Sequence, residues 1–66
     1  MKKIYSIGYI DMYGDFQKFK TRDGYTVKYA TIEECREIIE RQSQKTVFKI
    51  MQGWDVLEII DKREKA

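Results

Sequence analysis

The feature that most restricts this chain is the lack of any covalent or metal support for a core of only 66 residues. It contains one cysteine, Cys35, and no histidine, so it can form neither an intramolecular disulfide nor the nitrogen and sulfur cage of a structural zinc site. A chain of this length buries only about 60% of the surface that its unfolded form exposes. We therefore expect one α+β domain, residues 1–66, stabilised by efficient packing or by self-association.

The expected environment of this domain is the cytoplasm. A single thiol is typical of proteins from a reducing compartment. Polar residues and a glycine between residues 5 and 11 interrupt the apolar run that a signal peptide would need. No apolar run approaches the roughly 20 residues that span a bilayer, so we expect a soluble protein without a membrane partner.

The segment from Lys3 to Ala30 predicts a three-stranded antiparallel meander. It is rich in β-branched and aromatic residues, and two turn signals divide it: residues 11–15, where Gly14 can adopt a positive φ, and residues 22–24, which contain Asp23-Gly24. Apolar residues lie on both sides of strand one, which is typical of a central strand. Strand one is therefore expected in the middle of the sheet.

A helix is predicted from Thr31 to about Ser43. Thr31 and Glu34 have the spacing of a capping box. One face carries apolar residues at helical spacing and is expected to pack on the sheet; its members are Ile32, Cys35, Ile38 and Ile39. On this face the thiol of Cys35 is expected to be a small buried apolar group.

Two more elements are predicted after the helix. Residues 46–51 indicate a fourth strand, which a strand–helix–strand crossover would lay parallel to strand three or strand one, preferably beside strand one. Residues 54–60 fit either a hairpin strand that follows Gln52-Gly53 or a C-terminal helix capped by Asp55. The helix is preferred because Glu58 and Lys62 have the acid-before-base i, i+4 order.

No catalytic set is visible in the sequence. Histidine-dependent triads are excluded by composition, and the acidic side chains between residues 33 and 40 line the polar surface of a helix rather than a cleft. The four glycines match neither a phosphate-binding loop nor a dinucleotide fingerprint. We expect no enzymatic activity, no cofactor and no metal.

Lysines alternate with aromatic residues on the predicted sheet. Lys18, Lys20 and Lys28 share one face and Arg22 lies at the adjoining turn, an arrangement by which exposed sheets bind phosphates and stack bases. Lysines on exposed strands also prevent aggregation, which is the alternative explanation. A meander followed by a helix resembles, in topology over residues 3–43, the sheet-type DNA-binding domains of some phage-type integrases, a resemblance that implies nucleic-acid contact through these lysines.

Four residues are candidates for a protein interface. Met51 and Trp54 lie at an element junction, and both residue types are enriched at interfaces. Trp54 is expected to be a core or capping residue if it is buried and an interface anchor if it is exposed. Glu33 and Glu37 lie on the acidic helix surface, which is either solvated or a contact for a basic partner.

Two function hypotheses follow from these observations. The first is a non-enzymatic binding module that acts through protein–protein contacts, with an unidentified protein or a second copy as partner. Its size and composition suggest an accessory or inhibitor protein of a phage or other mobile element. The second is a small nucleic-acid-binding regulator that uses the basic sheet face.

Overall fold

The computed structural model describes residues 2–63 and shows a small α+β fold, with one helix packed on a four-stranded antiparallel sheet. The strands are β1 (Tyr5–Ile10), β2 (Phe16–Lys18), β3 (Val47–Gln52) and β4 (Asp55–Asp61), and the helix is α1 (Ile32–Glu40). The strand order is β2-β1-β3-β4. The α+β class and the central position of the predicted first strand, β1, are confirmed. The predicted fourth strand is β3, and its position beside β1 is confirmed as well.

The loop between β1 and β2 is built around Asp11. Its Oδ1 accepts hydrogen bonds from the backbone N–H groups of Tyr13 and Asp15, both at 2.9 Å, and these donors, that of Asp15 above all, lower the pKa of Asp11. Gly14 has φ +84°, the left-handed conformation expected of it. The predicted turn is confirmed.

The predicted third strand is formed only in part. Residues 25–30 make only isolated bridges, from Thr26 to Lys20 and from Tyr29 to Tyr5. Tyr5 and Tyr29 exchange backbone hydrogen bonds of 3.0 and 2.7 Å, so the segment turns back across the end of β1 instead of extending the sheet beyond β2. The physical reason is that Tyr29 is buried in the core. Its burial brings the chain to the first turn of α1.

The parallel pairing expected of the predicted fourth strand, β3, is also wrong. β3 pairs with β1 in antiparallel register, with Ile7 opposite Ile50. Because β2 is also antiparallel to β1, β2 and β3 run in the same direction with β1 between them. The crossover through α1 therefore joins two strands that are not neighbours.

The preference for a C-terminal helix is wrong as well, because residues 55–61 form strand β4 in a hairpin with β3. The two-residue loop Gly53-Trp54 has a positive φ only at Gly53, +62°, which is the pattern of a type II′ turn. Val56, Ile59 and Ile60 are β-branched and favour strands. An i, i+4 pair contributes only about 0.2–0.5 kcal/mol to a helix, which is too little to compete.

Helix α1 begins as predicted. Thr31 is the N-cap, and its Oγ1 accepts a hydrogen bond from the backbone N–H of Glu34 at 3.1 Å. The helix ends at Glu40, earlier than predicted. Two of its last carbonyls accept hydrogen bonds from Lys62 Nζ, at 2.9 Å from Ile39 O and 3.2 Å from Glu40 O. The same amine donates to Gln42 O, just beyond the helix, at 2.5 Å.

The core lies between α1 and the two central strands. Its buried members are Ile7, Tyr29, Cys35, Ile39, Phe48 and Ile50. The expectation for Cys35 is confirmed, since its side chain is fully buried, and burial raises the pKa of the thiol to about 11. The helix covers one face of the sheet only, so the other face is left for other contacts.

Candidate functional site on the outer face of the sheet

The side of the sheet that faces away from α1, here called the outer face, carries an unusual set of side chains. Core residues such as Ile7 and Ile50 point toward the helix, so their strand neighbours point the other way. On β2, β3 and β4 these outward residues include Phe16, Lys18, Lys49 and Ile59. The outer face is thus partly aromatic, partly aliphatic and basic.

Phe16 is positioned by a glycine on the neighbouring strand. A Cβ atom on Gly8 would lie 2.2 Å from the Phe16 ring, so the ring occupies the space that a side chain at that position would need. Lys49 Nζ lies 5.5 Å from the centre of the same ring, within the range of a cation–π contact. Gly8 therefore leaves room for the tip of an aromatic ring over strand β1, beside a lysine.

Trp54 is positioned by the type II′ turn that precedes β4. Its side chain is 82% exposed, and Lys18 Nζ lies 4.4 Å from the ring centre. The Lys18 amine also donates a hydrogen bond to Gly53 O at 3.2 Å. Partial burial and the nearby charge of Lys28 lower the pKa of Lys18.

These groups surround a shallow depression of about 270 Å³. It is lined by Phe16, Gln17, Lys18, Lys20, Thr26 and Trp54, none of which carries a carboxylate. We call Phe16, Lys18, Lys20, Lys49 and Trp54 the basic–aromatic patch. Cations beside exposed rings are suited to an anionic ligand that has flat apolar parts.

The residues predicted to bind nucleic acid are only partly brought together. Lys18 and Lys20 belong to the patch, and Lys28 lies close enough to Lys18 to affect its pKa. Arg22 is exposed in the turn at residues 21–24. Two of the four residues thus form the centre of the site, and Lys28 lies beside it.

The residues predicted to form a protein interface are spread over the molecule. Trp54 is exposed and belongs to the patch, whereas Met51 is only 3% exposed and does not present its side chain at the surface. Glu33 and Glu37 are exposed on α1, which lies on the opposite face of the sheet. These four residues do not make one continuous surface.

Sequence reasoning did not identify Lys49 as a site residue. The signal for Lys49 was present, because it alternates with Phe48 and Ile50 in a segment predicted as a strand. To assign Lys49 to the site from this signal, one also needed the pairing of β3 with β1, which places Lys49 opposite Gly8. That register brings Lys49 close to the ring of Phe16.

The rest of the described chain offers little for chemistry. No group of three or more Cys, Asp or Glu residues that could hold a metal ion comes together within residues 2–63. In that same range no helix has the length and hydropathy needed to cross a membrane. Comparison with protein families, curated proteins and solved structures finds no match to this chain, so function has to be argued from the site itself.

Proposed function

We propose that this protein is a non-enzymatic binding module and that its basic–aromatic patch binds single-stranded nucleic acid. The observation that carries the proposal is the convergence of two exposed rings, Phe16 and Trp54, with Lys18, Lys20 and Lys49 on one open sheet face. Sheet surfaces with this composition stack unpaired bases on aromatic rings and hold the backbone phosphates with lysines.

The two kinds of contact have different roles. Stacking of a base on an aromatic ring contributes about 1–3 kcal/mol per base and tolerates any sequence. Contacts between lysines and phosphates release counterions, so affinity falls with salt, with a slope near −0.7 per phosphate for single strands. For three or four phosphates this corresponds to a loss of about 20- to 50-fold between 50 and 200 mM salt. The expected ligand is therefore short, unpaired and bound with little sequence preference.

The geometry favours single strands over duplexes. An exposed aromatic ring on a sheet can stack only on a base that has left its own stack. The acidic residues of α1 lie on the opposite face, so a ligand on the patch does not approach them.

The test is a titration of fluorescently labelled single-stranded DNA and RNA oligonucleotides with purified protein at about 50 and 200 mM salt. We expect Lys20→Gln and Lys49→Gln each to weaken binding and to reduce the salt slope by about 0.7. Trp54→Ala is expected to weaken binding about 5- to 150-fold without changing that slope. Arg41→Gln is the matched control, because it removes one exposed positive charge from the chain near the C-terminal end of α1.

Two results would count against nucleic acid. One is the absence of binding at the lower salt concentration, and the other is an equal loss of affinity in Arg41→Gln and in the patch variants. An acidic peptide that binds the patch while oligonucleotides do not would move the function to protein–protein contact, the first hypothesis from the sequence.

A further inference from the structure

Lys18 differs from the other lysines of the basic–aromatic patch, because its amine has two close partners in the free protein. Its Nζ lies over the Trp54 ring, 4.4 Å from the centre, and donates a hydrogen bond to Gly53 O at 3.2 Å. An amine has three N–H donors. One of them is used by the carbonyl and the ring takes up a second direction, so Lys18 has less to offer a phosphate than a lysine that points into solvent.

The two contacts of Lys18 hold consecutive residues of the turn between β3 and β4. Gly53 supplies the positive φ of that turn, +62°, and Trp54 follows it. The amine comes from β2, 35 residues earlier in the chain, and reaches the turn across β1. The outward residues of β1 on this path, Ser6 and Gly8, are small and leave room for the lysine stem. An anchor on another strand thus restricts the Trp54 side chain in addition to the turn itself.

The Trp54 ring has two faces, and Lys18 occupies only one of them. The side chain is 82% exposed, so the face opposite the amine is open to solvent. A cation and a stacked base can use opposite faces of the same ring. Trp54 can therefore accept a base while Lys18 stays in place.

We propose that Lys18 is a positioning residue that holds Trp54 as a one-sided stacking platform, with the amine on one face of the indole and a base on the other. The stacked base rests on the function proposed above, whereas the hold on the ring exists in the free protein. A side chain that is already ordered loses less conformational freedom on binding. Lys18 therefore raises affinity through Trp54, while Lys20 and Lys49 act on the phosphates.

The hold on the ring is tested in the free protein, because Trp54 is the only tryptophan in the chain. Lys18→Met keeps an unbranched apolar stem and removes the charge and the donors. We expect it to increase the amplitude of the fast, local component of the tryptophan fluorescence anisotropy decay. Lys49→Met is the matched control: it removes a lysine that contacts the Phe16 ring on the same face and should leave the decay unchanged. A wild-type decay in Lys18→Met overturns the positioning role.

The role in binding is tested by a double-mutant cycle with labelled single-stranded oligonucleotides. Lys18→Met is expected to weaken binding about 2- to 10-fold in the wild-type background, the cost of ordering one side chain on binding. In the Trp54→Ala background it should weaken binding by less than about 2-fold, because its effect acts through the ring. Lys20→Gln, which removes a phosphate contact, should lower affinity by the same factor in both backgrounds. Equal losses for Lys18→Met in the two backgrounds would mean that Lys18 binds phosphate itself and would overturn the proposal.

Failure of this inference and failure of the proposed function give different results. If the wild type binds oligonucleotides and the losses from Lys18→Met and Trp54→Ala are additive, the nucleic-acid function stands and the role of Lys18 is refuted. If the wild type does not bind them at the lower salt concentration, the proposed function and the stacked base are both refuted, and the anisotropy decay alone decides whether Lys18 holds the ring.

Discussion

Ser6 is a buried polar residue whose hydroxyl oxygen has no hydrogen-bond partner among residues 2–63. It lies on β1 opposite the buried Met51 of β3. A buried hydroxyl without a partner loses its hydration and gains no hydrogen bond in return, at a cost of about 1–3 kcal/mol.

We expect Ser6→Ala to leave the free energy of unfolding unchanged or to raise it by up to about 1 kcal/mol. Urea denaturation followed by circular dichroism measures this difference. Ser6→Val is the companion variant and is expected to destabilise the fold, because a fully buried position has to accommodate an additional methyl group. A loss of more than about 1 kcal/mol in Ser6→Ala would contradict the expectation and show that the hydroxyl has a partner such as water.

Single residues with local signals were predicted correctly from the sequence. Gly14 and Gly24 adopt positive φ, and Thr31 caps α1, because each depends only on the few residues around it. The outward position of Lys18 and Lys20 followed from alternation with Phe19. The position of Trp54 beside Lys18 could not be predicted, because it depends on a turn 35 residues away from that lysine.

At the level of elements, the C-terminal end of α1 is stabilised by a residue from the end of β4. The last turn of α1 contains no basic residue. Lys62 Nζ supplies both the positive charge and the hydrogen-bond donors for the carbonyls of Ile39 and Glu40, and for that of Gln42 just beyond the helix. A helix of nine residues has little stability of its own. The contact therefore replaces a local cap with one that forms only in the folded protein.

We expect Lys62→Met to lower the free energy of unfolding by about 1–3 kcal/mol, since it keeps most of the apolar stem and removes three charge-assisted donors. Thermal and urea denaturation measure the change. Lys3→Met, at an exposed position, is the control and should change stability by less than about 0.5 kcal/mol. Equal stability of the two variants would show that the carbonyls of α1 do not need this amine.

The errors in the predicted elements share a physical cause. The sequence around β4 contains signals for both helix and strand, and contacts distant in sequence decide in favour of the strand. These contacts are the pairing with β3, the burial of Ile60 against the core, and the bidentate pair of Arg36 with Glu58, at 2.8 and 2.5 Å. That pair also lowers the pKa of Glu58. Local spacing cannot reveal which partner a carboxylate finds in the folded chain.

For the molecule as a whole, Cys35 is an internal reporter of unfolding. It is the only thiol in the chain, and burial both shields it and holds its pKa near 11. The reactive thiolate is therefore scarce in the native state at neutral pH.

We expect alkylation of Cys35 by iodoacetamide to be slow in the native protein and to accelerate in proportion to the unfolded fraction. The rate should rise with urea along the curve measured by circular dichroism, and Lys62→Met should react faster than Lys3→Met. Alkylation of the native protein at the rate seen in concentrated urea would contradict the burial of this thiol.

The basic–aromatic patch is assembled by the whole fold, which is why the sequence predicted only two of its five residues as contacts to nucleic acid. Lysines 18 and 20 lie on one strand and could be found from its alternation. Lys49 and Trp54 come from β3 and from the turn before β4, and they reach the patch only through the strand order β2-β1-β3-β4. A pairing scheme with a third meander strand and a C-terminal helix would have separated these residues.

The contacts of α1 with β4 also determine the sequence of events when a ribosome makes this protein. The helix leaves the ribosome before β4 does, yet two of the contacts that fix it to the sheet, those of Arg36 with Glu58 and of its C-terminal carbonyls with Lys62, come from β4 or the residue that follows it. The segment up to Glu40 therefore lacks its contacts with Glu58 and Lys62 until residue 62 has left the ribosome. Folding is expected in one step after that point rather than progressively from the N-terminus.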